Sequence, residues 1–179
     1  DKLNRYLNTK INFNLYDYLN KNKGIFWYWM EKYKQNINFD EYVENYEDLT
    51  NKNLRFFNKS RNYFDSYKIE IASRIYKKPK KVLDFGSGIG LCIPFIKEYF
   101  PTANIYATDT SEKSLDYLSI KHKDIKTLKI NDLHDYQNYF DLIIIVGVFH
   151  HVAKKERLNL MKEIEVLLKN KGKLIIFEH

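Results

Sequence analysis

The chain has 179 residues and a formal net charge of +7, with 44 % hydrophobic and 16 % aromatic residues. That length suits one domain with room for an appendage and a sizeable core, and 15 Tyr with 12 Phe argue against global disorder. The single cysteine, Cys92, excludes an intrachain disulfide and fits a reducing, cytoplasmic setting. No apolar run approaches the roughly 20 residues that cross a bilayer as a helix. The start, Asp1-Lys-Leu-Asn-Arg5, has neither a signal-peptide pattern nor an initiator Met, which reads as a trimmed chain or fragment. The lysine excess is scattered among Asn, Ile and Tyr, a general compositional bias, so nucleic acid is not the expected partner.

Residues 1–79 hold one glycine, Gly24, and one proline, Pro79, among dense aromatic and charged residues, and read as a helical N-terminal extension. Two or three helices are expected there, the last over about Leu54–Tyr76. Phe26-Trp-Tyr-Trp29 reads as a buried contact rather than a ligand cage. Tyr63 and Tyr67, four apart on one helix face, fit a core stripe or, with Arg61 and Phe64, a lid.

From Lys81 strands and helices alternate, so 80–179 is predicted to be α/β, a Rossmann-like doubly wound and mostly parallel sheet. The strands are expected at Lys81–Phe85, Asn104–Thr108, Lys126–Ile130, Phe140–Val146 and Lys173–Phe177, the last after a turn at Asn170-Lys-Gly172. Leu142-Ile-Ile-Ile-Val146 is the most plainly buried. Helices are expected over Gly90–Tyr99, stopping before Pro101, and from a Ser111 cap to about Ile120. A further helix carries the stripe Leu158, Met161, Ile164 and Leu168.

The first strand ends in Val82-Leu-Asp-Phe-Gly-Ser-Gly-Ile-Gly90, a carboxylate at Asp84 followed by glycines at 86, 88 and 90. Glycines there let backbone approach a ligand closely. The dinucleotide frame Gly-x-Gly-x-x-Gly fails, because it requires glycine where Leu91 or Ile93 stands; a nicotinamide oxidoreductase is therefore disfavoured. Asp109 ends the second strand, where a carboxylate can accept both ribose hydroxyls of a nucleoside or simply lead the next helix. The five histidines show no metal-ligand spacing, so no metal is inferred.

The pattern Asp-x-Gly-x-Gly-x-Gly, with acidic residues at successive strand ends, resembles class I S-adenosylmethionine-dependent methyltransferases. The resemblance covers about Lys80–His179 and implies S-adenosyl-L-methionine as cofactor, with S-adenosyl-L-homocysteine as product. It implies a cofactor site of Asp84, Gly86, Ser87, Gly88, Gly90, Asp109, Thr110, Asp132, Leu133 and Gly147. In it Asp84 orients the glycine loop and the ammonium group, Asp132 receives the adenine amino group and Leu133 offers a backbone N–H; for Asp132 a plain turn aspartate is the alternative.

The fourth strand ends in Gly147-Val-Phe-His-His151, resembling small-molecule methyltransferases and cyclopropane-synthase relatives. Neither an Asn-Pro-Pro-Tyr-like signature nor a Pro-Cys pair follows it, which argues against nucleic-acid methylation. By resemblance His150 faces the pocket as a general base, or as a polar wall without proton transfer, and His151 sits in the packing. A small-molecule methyl acceptor is the expected partner. The family has seven strands and this chain carries five, so the expectation is either a cut enzyme or a noncatalytic cofactor-binding or partner-binding subunit. In the latter case a second copy or another chain would cover the fifth strand's edge.

Overall fold

The computed structural model describes residues 61–178, and the expected features before residue 61, including the Phe26–Trp29 knot, lie outside the described residues. Chain order within them is α1 (Arg61–Ile75), β1 (Lys81–Phe85), α2 (Ile93–Tyr99), β2 (Asn104–Asp109), α3 (Glu112–Lys121) and β3 (Lys126–Lys129). A 3-10 helix (Ile130–Tyr136), β4 (Phe140–Val146), two short 3-10 turns, α4 (Arg157–Leu167) and β5 (Leu168–Phe177) follow. The five strands form one sheet in the order β3-β2-β1-β4-β5, and every pairing is parallel. The order reverses between β1 and β4, the place where doubly wound sheets bind ligands beyond their strand ends.

Alternation along the strands sends successive side chains to opposite faces. Val82, Ile105, Ala107, Leu142 and Ile144 meet Ile69 and Ala72 of α1, Ile93 and Ile96 of α2 and Leu118 of α3. Leu83, Phe85, Tyr106, Ile143 and Ile145 meet Leu133 of the 3-10 helix and Ile164 and Leu167 of α4. The β4 run is buried on both faces, which is why it reads as continuously apolar. Helix α1 thus shares one core with the sheet.

Local chemistry sets the helix ends. The Ser111 hydroxyl accepts the Ser114 N–H at 3.1 Å and caps α3, as its sequence position predicts. Pro94 sits in the first turn of α2, which begins at Ile93 because residues 88–92 are taken up by turns. At the opposite end of the sheet, Asp141 accepts the N–H groups of Lys80 and Lys81 at 3.0 and 2.8 Å and pairs with Lys169 at 2.9 Å. One carboxylate there ties the starts of β1, β4 and β5.

Three sequence expectations need correction. Leu158 is exposed; the buried side of α4 is Ile164 and Leu167, flanked by Leu160. The helix is rotated from the predicted stripe because Leu168 already belongs to β5. The turn expected at 170–172 is an irregularity within β5: Phe140 pairs with Leu168 and Leu142 with Lys173, with Lys171 at φ +69°. Tyr63 and Tyr67 are not core residues: they are 46 % and 43 % exposed and stack on each other, while α1 buries Asp65, Ile69 and Ala72.

Candidate functional site

At the carboxyl end of β1 the chain turns on three glycines with positive φ: Gly86 (+74°), Gly88 (+52°) and Gly90 (+82°). Their reasons differ. A Cβ on Gly86 would stand 2.3 Å from the Val148 side chain, and one on Gly90 would stand 2.9 Å from Leu118 of α3. A Cβ on Gly88 would meet nothing within 4 Å, and Gly88 lies on a cavity wall. Gly86 and Gly90 permit packing; Gly88 leaves open space at the cavity wall.

The loop is tethered to β2. The N–H groups of Gly86 and Ser87 both donate to the Thr108 carbonyl, at 2.8 and 3.0 Å. Gly88 donates to Asp109 Oδ2 at 2.7 Å, while Asp109 Oδ1 accepts the Ser111 N–H at 2.9 Å. Asp109 therefore fixes both the glycine loop and the entrance to α3, and each oxygen keeps a lone pair for a further donor.

The cavity has a volume of about 760 Å³ and crosses the carboxyl ends of β1, β2 and β4. One side is the glycine loop with Asp109 and Thr110; the other is apolar, with Leu133, Leu160, Ile164 and Leu167. Asp84 lines it while only 2 % exposed, and its Oδ2 has no hydrogen-bond partner among the described residues. Burial, then the neighbouring Asp109 and Asp65 carboxylates, push Asp84 up to about 7. A buried carboxylate oxygen without a donor is costly, and an ammonium group from a ligand would satisfy it.

Of the sequence-predicted residues, the structure brings Asp84, Gly86, Ser87, Gly88, Asp109, Thr110, Leu133 and Gly147 to this wall. Three predicted residues are not on the wall. Gly90 is buried beneath Leu118. Asp132 is exposed, because the 3-10 helix after β3 turns Asn131 and Leu133 to the cavity and Asp132 away from it.

The histidine placement is reversed: His151 lines the cavity, while His150 Nδ1 pairs with Glu178 at 3.0 Å. The two imidazoles lie 3.8 Å apart between ring centroids. Glu178 also accepts the Phe149 N–H at 2.6 Å. Its burial raises its pKa, but the bonds from His150 and from the backbone at Phe149 and Val148 outweigh this and hold it below the ordinary value. Glu178 escapes the sequence reading, although an acidic residue at the carboxyl end of a parallel strand is the same signal that marked Asp84 and Asp109. Among the described residues no group of three His, Cys, Asp or Glu is disposed to hold a metal, and no helix is long and apolar enough to cross a membrane.

A parallel sheet in this order, with a glycine turn after β1 and a carboxylate ending β2, defines a Rossmann-like α/β fold. The chain belongs to the methyltransferase domain family, whose model matches residues 83–176; these are class I enzymes and their cofactor is S-adenosylmethionine. Demethylmenaquinone methyltransferase of Thermotoga maritima is 29 % identical over 143 residues, which is 78 % of this chain and 59 % of that protein. The chain spans 59 %, 40 % and 41 % of the length of the curated relatives it matches.

Among solved structures, a TehB-like S-adenosylmethionine-dependent methyltransferase of Corynebacterium glutamicum superposes with a TM-score of 0.57 at 21 % identity. The match covers 76 % of this chain and 72 % of that one. A Haemonchus contortus N-methyltransferase in complex with phosphomonomethylethanolamine and S-adenosylhomocysteine gives a TM-score of 0.51 at 22 % identity, over 62 % of this chain and 27 % of that one. At these identities the likeness is one of fold.

Proposed function

We propose that this chain is the cofactor-binding part of a methyltransferase that transfers a methyl group from S-adenosylmethionine to a small-molecule acceptor. The observation that carries the reading is Asp84: a buried carboxylate with an unpartnered oxygen, on a cavity wall where Gly88 leaves open space. In this reading Asp84 Oδ2 receives the ammonium group and the backbone of Gly86–Gly88 runs beside the amino-acid moiety. Asp109 turns its remaining lone pairs to the ribose hydroxyls, with Thr110 beside it. The adenine lies against Leu133 and beside Asn131, whereas Asp132 stays in solvent.

The cofactor supplies, when bound, a methyl group already activated on a sulfonium. The protein's share is to align the acceptor with that group and exclude water. The apolar wall of Val148, Val152, Leu160 and Ile164 favours a largely apolar small molecule over a nucleic acid. The sequence after β4, Gly147-Val-Phe-His-His151, lacks the base-methylating signatures and points the same way. Where the acceptor nucleophile carries a proton, His151, which lines the cavity as His134 also does, is the imidazole after β4 to take it, with His150 beside it.

Isothermal calorimetry with S-adenosylhomocysteine tests the reading. The wild-type chain should bind it and should not bind NAD. Asp109→Ala removes an acceptor for two hydroxyl donors and should weaken binding at least about tenfold, since hydrogen bonds to a charged group are worth about 1.5–3 kcal/mol each. Unchanged affinity in that variant would overturn the assignment.

A further inference from the structure

Two carboxylates lie close enough to act on Asp84 near the end of β1: Asp109 at the end of β2 and, less strongly, Asp65 on α1. Asp65 is 2 % exposed and lies outside the segment matched by the family model. Each of the three has a different supply of positive partners. Asp109 accepts two backbone N–H groups. Asp65 is met by Lys68 Nζ at 3.0 Å, a lysine one turn further along α1. Asp84 Oδ2 has neither.

Among the described residues no cation is seen to act on Asp84. In register beside it lie Ala107 on β2 and Ile144 on β4, both apolar and buried. The charged groups acting on it are Asp109 from β2 and Asp65 from α1, both negative. The other titratable side chains that line the same cavity are the buried thiol of Cys92, before α2, and His134, His151 and Glu163. A third negative charge beside two others, out of water and with Oδ2 lacking a donor among the described residues, is unfavourable, and there are two remedies: a proton or a cationic ligand.

We propose that Asp84 carries a proton in the ligand-free protein and releases it to solvent when a ligand's ammonium group enters, and that Asp65 of α1 sets how readily this happens. The proposal rests on the cofactor reading for the identity of the ligand and adds Asp65 as a positioning residue acting through Asp84. The direction follows from linkage. A ligand that binds the ionised form loses affinity as pH falls through the free carboxyl's midpoint, by about tenfold per pH unit below it. Burial and the two neighbouring carboxylates place that midpoint at about 7. Removing the Asp65 charge lowers it; removing the Lys68 charge, which offsets Asp65, raises it.

Calorimetry from pH 8 to pH 6 tests this with two probes. Affinity for S-adenosylhomocysteine should fall about tenfold over that range, while affinity for 5′-methylthioadenosine, which lacks the amino-acid ammonium, should stay level. At pH 7, buffers of different ionisation enthalpy should reveal release of about half a proton per S-adenosylhomocysteine bound. In Asp65→Asn the fall should shrink to about threefold; in Lys68→Met it should steepen.

A readout without ligand is the carbon-13 shift of the Asp84 carboxyl, identified by its loss in Asp84→Asn. It should titrate near neutrality in the wild type and lower in Asp65→Asn. Because the two variants act in opposite directions, a change from partial unfolding cannot imitate both. An Asp84 carboxyl that titrates with ordinary carboxylates, or pH profiles superimposable in all three proteins, overturns the proposal. No S-adenosylhomocysteine binding at any pH, with the carboxyl titrating as described, overturns the cofactor reading and the ligand half of the proposal together, leaving Asp65 tuning Asp84 as a separate result.

Discussion

Glycine occupies positions 86, 88 and 90, and substitution should separate packing from ligand space. Gly88→Ala places a methyl group where nothing stands within 4 Å, on a backbone at φ +52°. Its stability cost should be about 1 kcal/mol, the strain of an L-residue in the left-handed region. Gly88 lines the cavity, however, so a methyl group that takes up the open space beside it should lower affinity for S-adenosylhomocysteine more than tenfold. Gly90→Ala should do the reverse: its Cβ would meet Leu118 at 2.9 Å, so strain and overpacking add to about 2–4 kcal/mol. Urea denaturation and calorimetry on the two variants give both numbers, and equal ligand effects would refute the division. At this scale the sequence showed what depends on residue type and strand position. Asp84 and Asp109 are legible because a strand's carboxyl end is predictable from its apolar run. Asp132 is not, because the 3-10 helix over Ile130–Tyr136 decides which of three consecutive side chains faces inward. The histidine pair fails for the same reason, since a 3-10 turn at Phe149–His151 sets which ring reaches the cavity.

Between elements, Glu178 staples the end of β5 to the turn after β4. Its two oxygens take the Phe149 N–H and His150 Nδ1, and it holds in place a segment that supplies Gly147, Val148 and His151 to the cavity. Its pKa is held below the ordinary 4.5 despite burial, so the sign of its linkage is fixed. The stabilisation is present where glutamate is ionised in both states and is lost as pH falls through the unfolded value toward the lower folded one. Glu178→Gln should therefore cost about 1–2 kcal/mol near pH 7, and the gap from wild type should close as urea midpoints are followed below about pH 5. A gap independent of pH would remove the charge from the account. Four of the five strands were legible to within a residue, β1, β2 and β4 because strands buried on both faces carry dense apolar runs, whereas β5 starts at Leu168, five residues before the expected Lys173. Helix α4 was harder, since Leu158 and Leu160 both suit a helical stripe and only the entry into β5 selects the face. The irregularity at 168–173 resembles a turn in sequence because Lys171 and Gly172 serve either purpose.

Over the whole described domain, the sheet is covered on both faces, and α1 contributes to one of them although it precedes the segment matched by the methyltransferase family model. Its apolar contribution is small in number but central: Ile69 and Ala72 are fully buried against residues of β1, β2 and β4 and beside α2. If α1 were a separable appendage, disturbing it would leave the sheet untouched. If it is a layer of the core, the loss is shared by every element that unfolds with the sheet. Ile69→Ala distinguishes these cases. The cavity and lost transfer energy together should cost about 3 kcal/mol. That cost should appear as roughly a hundredfold faster amide exchange at Ile143, Ile144 and Ile145 on β4, whose protection reports global opening. The same substitution lies one turn from Asp65, so affinity for S-adenosylhomocysteine under folding conditions should change little unless α1 itself shifts. Faster exchange confined to α1, with β4 unchanged, would make the helix an appendage. Faster exchange at β4 with ligand affinity retained would establish α1 as part of the scaffold that holds Asp84 beneath the glycine turn.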